Sequence, residues 1–320
     1  MKYTIFLVAI LISGCSSFPL LQNNEMKIDQ SIEEQISKSD IKVIQLLENG
    51  KINEAFELLS NKYKAALADP KKEDSFVMEF MYAQTTTKNL DSVIDDFVSL
   101  YANQSLPYTF RGCYLFGKSL RTRGEKWIHE TSKIQINNMT SLQGDAISDF
   151  DRATNISPEI YYPYMKLALI YGMRSDELDL ANKYYEIALS KNSKSFWIWS
   201  ALLDRSTPRW GGSYEKMEEI IRKMEISTSM NSFLIPLKGS ILRDKGSLEE
   251  NRRNYAQAKK YYNEALSYGD LHGVLVGLGY IHIQEGNYKV GCELIDKAVD
   301  LRPYDHRTNA NLVNCRSRGY

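Results

Sequence analysis

Neither sign of charge is in excess in this chain: forty Lys and Arg face forty Asp and Glu over 320 residues. A nucleic-acid footprint needs concentrated positive charge, so the balance argues against that class of partner. Histidine is scarce, at four. None of His129, His272, His282 and His306 has metal-ligand spacing, and the segment HETSK lacks the second histidine of a metalloprotease helix. His282 is expected as a satisfied core residue. Cysteine is equally scarce, at four with no C-x-x-C pair, which excludes zinc and thioredoxin-like chemistry. Eight prolines leave room for long helices. No G-x-S-x-G elbow, phosphate loop or nucleophile–base constellation occurs. Carboxylates such as Asp145, Asp149 and Asp151 are expected on solvated helix faces. No catalytic residue, metal site or cofactor is expected.

Long hydrophobic runs are also missing. The apolar stretch Ile5 to Ile12 is too short to span a bilayer. It does follow Lys2 and lead into Ser13-Gly14-Cys15, so MKYTIFLVAILISGC has the charged start, apolar middle and small-residue end of a secretory signal. Its I-S-G-C ending resembles the bacterial lipoprotein box, in which the cysteine is lipidated and becomes the mature N-terminus. The resemblance implies a signal over residues 1–14 and an acyl anchor at Cys15. With Ser16 instead of Asp after the cysteine, it also implies outer-membrane retention in a Gram-negative cell. Residues 15–38 are expected to be the lipidated start and a tether, because their first part lacks apolar periodicity. An oxidising compartment behind such a signal permits disulfides. Cys292 and Cys315 fall on neighbouring helices and are able to pair, which leaves Cys113 as a small buried hydrophobe.

The rest of the chain reads as helix throughout. Apolar residues recur at three and four, as in Ile41, Ile44 and Leu47, and again in Ala55, Leu58 and Leu59. Gly50, Pro70, Pro107, Pro158, Gly172, Pro208, Gly246, Gly286 and Pro303 punctuate it at helix-hairpin intervals. One segment, LVGLGYIHIQEGNYKVGCELIDKAVDLRP, resembles the tetratricopeptide repeat (TPR). Leu275 and Leu278-Gly279 take first-helix positions, Gly286 and Tyr288 form the turn, and Gly291, Ile295, Ala298 and Pro303 complete the second helix. Tyr255, Ala258, Tyr262 and Ala265 each precede a member of that set by 33 residues. Ala181, Tyr185 and Ala188 repeat the pattern, as do Ala146, Phe150, Ala153 and Pro158. Small residues are needed where paired helices cross closely, and large ones fill the seam. The expected fold is all-α, a right-handed superhelical array of helical hairpins. Residues 39–230 form a helical domain and 231–320 the C-terminal repeats. GSLEENRRNY, between Gly246 and Tyr255, is expected as an exposed, mobile loop.

The string STPRWGGSYEKM, preceded by FRGCYLFGKSLRTRGEKW, resembles a bacterial family of undefined activity with a Trp-Gly-Gly-Ser signature. That family also carries an upstream Arg-Gly step, here Arg111-Gly112, and a later tryptophan, here Trp127. Cys113 and Phe116 occupy places where smaller residues are expected. The resemblance implies a helical fold and nothing about chemistry.

Two readings of that corner follow from its residues. In the first, Pro208 ends a helix, Gly211 and Gly212 reverse the chain, Ser213 caps the next helix, and Trp210 folds inward. In the second, the glycine N–H groups, the helix start and Arg209 cradle an anion or a glycan, so that Arg209, Trp210, Gly211, Gly212 and Ser213 are the candidate ligand-binding residues. Tyrosine is abundant, at 21. In adjacent pairs such as Tyr184-Tyr185 and Tyr261-Tyr262, one ring must point away from the other, because helical neighbours lie about 100° apart. Taken together, an anchored helical array without chemistry is expected to serve as an adaptor for an envelope protein or peptide, touching the membrane only through its lipid. A small-ligand or glycan binder is the alternative, and a carboxylate hydrolase a third.

Overall fold

The computed structural model describes residues 25–124, 130–174 and 176–320. Cys15, Trp127 and His129 lie outside them. All regular structure among the described residues is helical. No described helix is long and apolar enough to cross a membrane.

The chain divides into two compact units, with the second boundary at Ala201/Leu202. The first unit holds α2 (Val43–Glu48), α3 (Ile52–Ala68), α4 (Glu73–Thr85), α5 (Asp91–Leu100), α6 (Ser105–Arg123), α7 (Lys133–Ile156), α8 (Tyr161–Gly172) and α9 (Leu178–Lys191). The boundary passes through α10 (Phe196–Arg205). The second unit holds α11 (Tyr214–Thr228), α12 (Ser240–Asn251), α13 (Tyr255–Leu266), α14 (His272–Gln284), α15 (Tyr288–Leu301) and α16 (His306–Ser317), joined by α1 (Glu25–Lys38) from the other end of the chain. The division falls before the Trp-Gly-Gly-Ser corner.

In both units the helices pair: α6 with α7, α8 with α9, α12 with α13, and α14 with α15. The repeat pattern explains how. The large residue at the centre of each second helix is fully buried, namely Phe150, Tyr185, Tyr262 and Ile295, between small residues that are also buried. Two of these rings sit directly on a glycine of a first helix. A Cβ on Gly112 of α6 would lie 2.7 Å from the Phe150 ring, and one on Gly246 of α12 would lie 2.5 Å from the Tyr262 ring. Such close approach lets a large side chain fill the seam without pushing the helices apart.

The Arg-Gly step of α6 thus acts as a unit with α7. Gly112 receives Phe150, while Arg111 forks onto both carboxylate oxygens of the preceding Asp149 at 2.8 Å each. Asp149 is only 4% exposed, so it does not occupy a solvated face as the sequence suggests. Its burial is tolerable because the guanidinium pairs with it in bidentate fashion. The larger Cys113 and Phe116 are buried without preventing this packing. Burial pushes the Cys113 thiol up to about 12, which leaves it inert.

Three further expectations need correction. Residues 25–38 are not a tether but the helix α1, with Ile28, Ile32 and Ile36 buried against α16. The stretch after Gly246 is not a loop. Helix α12 continues to Asn251, because Gly246 serves as a seat for Tyr262 and not as a breaker. His282 is not a satisfied core residue, since it is half-buried with Nδ1 buried and unbonded.

The first unit is also held by carboxylates reaching across helices. Glu79 of α4 is fully buried, accepts the N–H groups of Lys42 and Val43 at the start of α2, and pairs with Lys62 at 2.7 Å. Glu73, also on α4, accepts the Tyr161 hydroxyl at 2.7 Å and the Phe196 N–H of α10 at 2.8 Å. Each caps a helix from another helix and satisfies an orphan N–H. Among the described residues no cation pairs with Glu73, and burial raises its pKa to about 7 despite the hydrogen bonds from Ser195, Tyr161 and Phe196.

Candidate functional site

The Trp-Gly-Gly-Ser corner begins where Pro208–Trp210 make one 3-10 turn after α10. Gly211 then takes the left-handed conformation at φ +80°, which costs a glycine nothing and other residues roughly 1–2 kcal/mol. Gly212 is required for a different reason. A Cβ there would lie 2.0 Å from the Ser206 carbonyl oxygen. Ser213 caps α11 by accepting the Lys216 N–H at 3.2 Å. The exposed Glu215 carboxyl is held below its usual range by the Ser213 hydroxyl and by the helix start.

In this geometry the glycine N–H groups are taken up within the turn. The Gly211 N–H donates to the Pro208 carbonyl at 3.1 Å, and the Gly212 N–H to that of Thr207 at 3.2 Å. Both point into the turn. Trp210 is half-buried and not sequestered, and Arg205 donates to its carbonyl. Arg209 pairs with Asp244 of α12 at 2.6 Å. The Tyr214 hydroxyl donates to the other oxygen of Asp244 at 3.0 Å, and Lys245 lies over the Tyr214 ring. The corner thereby docks onto α12.

Asp244 opens a series of polar contacts along the first helices of the C-terminal hairpins, α12, α14 and α16. Arg243, its neighbour, pairs with Asp204 and lies across Gly273 of α14, where a Cβ would be 3.4 Å from its Cδ. Two turns further along α12, Glu250 accepts the Tyr262 hydroxyl at 2.6 Å and pairs with Arg307 of α16 at 2.8 Å. Tyr280 of α14 lies within electrostatic reach of that pair. Burial, more than the Glu250 charge, raises the Tyr262 hydroxyl far above its usual range, so it remains a donor.

The third contact joins α14 to the start of α16. His272 Nε2 is 2.8 Å from the Thr308 hydroxyl, which donates to Asp305 at 2.6 Å. An ionised carboxylate only accepts, so the hydroxyl proton goes to Asp305 and His272 must donate from Nε2. Burial first, with Arg302, Arg307 and Arg243 nearby, lowers the His272 pKa to about 4 and keeps the ring neutral. Asp305 also caps α16 through the Thr308 N–H at 2.8 Å.

The result is a face of guanidinium, carboxylate, phenol and imidazole groups, held in fixed directions by one another. Arg243 and Arg307 stay partly exposed on it, at 20% and 25%, whereas the Glu250 and His272 side chains are each 9% exposed. No three metal-ligating side chains converge among the described residues. Of the residues singled out from sequence, Arg209 joins this face, and Trp210, Gly211, Gly212 and Ser213 build the corner that brings it there. Glu250 and Arg307 were not singled out, and His272 was weighed only as a metal ligand. Their only signal was position, as polar residues on first helices of hairpins.

Cys292 and Cys315 are joined in a disulfide that ties α15 to α16 within a core of Ile283, Ile295, Val299 and Leu312. The tyrosine pairs divide in the expected way, with Tyr185 and Tyr262 buried and Tyr184 and Tyr261 half-exposed. Tyr184 stacks on Tyr171 in the first unit at 5.5 Å.

No curated protein sequence matches the chain. Solved structures with some likeness include yeast Tom70, at 12% identity over 97% of this chain and 67% of that one, with a TM-score of 0.36. NprR in complex with its cognate peptide NprX is 16% identical over 92% of this chain and 84% of that one, TM-score 0.36. The apo form of the quorum sensor NprR from B. thuringiensis is 17% identical over 92% and 82%, TM-score 0.36. Residues 272–305, which span α14, α15 and the turn before α16, match the tetratricopeptide repeat family.

Proposed function

We propose that this chain is an adaptor, anchored by lipid at Cys15 to a bacterial outer membrane and facing the periplasm, which holds an envelope protein or peptide on its C-terminal unit. The observation that supports it most is the polar face on α12, α14 and α16, whose Arg243, Glu250, Arg307 and His272 are fixed by mutual contacts. Helical repeats use such pre-oriented groups to bind extended or helical segments, because little side-chain entropy is lost on binding. The adaptor acts by holding its partner, and no catalytic step is assigned to it.

In-cell cross-linking of the full chain followed by mass spectrometry tests the partner. The expected result is a small, reproducible set of envelope proteins, and a profile no different from that of an unrelated lipoprotein would overturn the adaptor reading. Metabolic labelling with an acyl probe tests the anchor separately. The wild-type chain is expected to take the label and a Cys15→Ser variant to lose it; an unlabelled wild type would remove the anchor.

A further inference from the structure

Helices α12 and α14 each pack against the helix that follows them, whereas α16 receives α1 from the opposite end of the sequence. On α1, Ile28, Ile32 and Ile36 recur every fourth residue and are 6%, 5% and 7% exposed. Ser31 on the same stripe donates its hydroxyl to Asn309 Oδ1 at 2.8 Å. The acceptor is rigidly aimed: Asn309 is fully buried, and its amide group donates to the carbonyls of Pro303 and Asp305 at 2.9 Å each. At the rim Glu34 pairs with Arg316 at 2.6 Å. This contact combines an apolar stripe, one buried directional bond and one exposed ion pair, the elements by which a groove selects a helix.

Two features make the contact separable. The disulfide fastens α16 to α15 without involving α1, so that covalent tie remains when α1 leaves its seat. At 14 residues α1 has a length at which isolated helices are marginal in water, so it folds on docking and unfolds on leaving.

We propose that the α1-facing surface of α16 is a helix-binding site, filled in cis by α1 and opened to a partner's amphipathic helix of the same pattern. That pattern is aliphatic residues at i, i+4 and i+8, a hydroxyl at i+3 for Asn309 and a carboxylate at i+6 for Arg316. The proposal rests on the adaptor reading only for the existence of a partner; the site itself is tested with the chain's own segment.

The probe is a labelled synthetic peptide of residues 25–38, titrated by fluorescence anisotropy onto the full chain carrying Ile28→Asp and Ile32→Asp. Those changes drive α1 out of its seat. The peptide is expected to bind this variant saturably and at least about tenfold more tightly than it binds the wild type, whose site is filled. A peptide with Ser31→Ala should bind about fivefold more weakly, as expected for one lost hydrogen bond. A variant that keeps its helix content and disulfide yet ignores the peptide would overturn the proposal, and so would equal binding to both chains. Should the double variant fail to fold, hydrogen exchange on the wild type decides. Amides of α1 exchanging faster than those of α14 and α15 support a separable helix, and exchange only with global unfolding refutes it. A failed cross-linking search with positive peptide binding would sink the adaptor reading and spare the site; the reverse would sink the site alone.

Discussion

The two glycines of the Trp-Gly-Gly-Ser corner should differ sharply in what they tolerate. Alanine at Gly211 meets nothing within 4 Å, so its cost is only that of holding a side chain at φ +80°, about 1 kcal/mol. Alanine at Gly212 would place Cβ 2.0 Å from the Ser206 carbonyl oxygen, where an ordinary contact needs about 3.5 Å. The backbone must retreat, yet Ser206 and Thr207 are 2% and 3% exposed and have little room. Retreat would also stretch the Gly212 N–H bond to Thr207, now 3.2 Å. Overpacking of about 1–3 kcal/mol plus about 1 kcal/mol for the bond gives a loss of roughly 3 kcal/mol. Urea denaturation of soluble Cys15→Ser chains, followed by circular dichroism and tryptophan fluorescence, measures both. A Gly212→Ala chain within 1 kcal/mol of its parent, or one more stable than Gly211→Ala, would refute the structural account of this corner.

Other consequences can be checked with the same assay. Because burial raises the Glu73 pKa to about 7, above its unfolded value, its contribution to stability is intact in acid and is lost as pH climbs toward 7. Glu73→Gln should remove a fall of about 3 kcal/mol between pH 4.5 and 8; an unchanged slope would show that the carboxyl is ionised throughout. Cys315→Ser should cost about 3 kcal/mol, since the bond closes a sequence separation of 23 residues, and reduction of the wild type should reproduce most of that loss. Equal stability with and without reductant would deny the disulfide a structural role. Tyr262→Phe removes the 2.6 Å bond to Glu250, with an expected cost of about 2 kcal/mol, and a value near zero would mean that water replaces the hydroxyl.

The hairpins were legible because their rule is local. A large residue framed by small ones, as at Phe150, Tyr185, Tyr262 and Ile295, repeats at nearly constant spacing and needs no knowledge of distant sequence. Gly246 was harder, since the same glycine is a breaker in a loop and a seat in a crossing, and only the ring of Tyr262 decides between them. Helix α1 was not legible as a docked element. Its stripe is three isoleucines long, and the partner of Ser31 lies 278 residues away. The polar face was hidden for a similar reason. Glu250 falls in a stretch expected as an exposed loop, and its pairing with Arg307 exists only once α16 is brought back to α12. Asp149 shows how far such a reading can miss, because its fork to Arg111 links residues of different helices. At the corner the capping role of Ser213 followed from sequence, whereas the loss of the glycine N–H groups to the turn depends on how Thr207 and Pro208 fold back over them.

A photo-cross-linking amino acid in place of Tyr280, within electrostatic reach of the Glu250–Arg307 pair, tests the central claim most directly when compared in cells with the same residue in place of Tyr184. The adaptor account predicts that the Tyr280 position captures a discrete envelope protein, that the Tyr184 position does not, and that Arg307→Glu abolishes the capture. Identical adducts from both positions, or capture indifferent to Arg307→Glu, would contradict it.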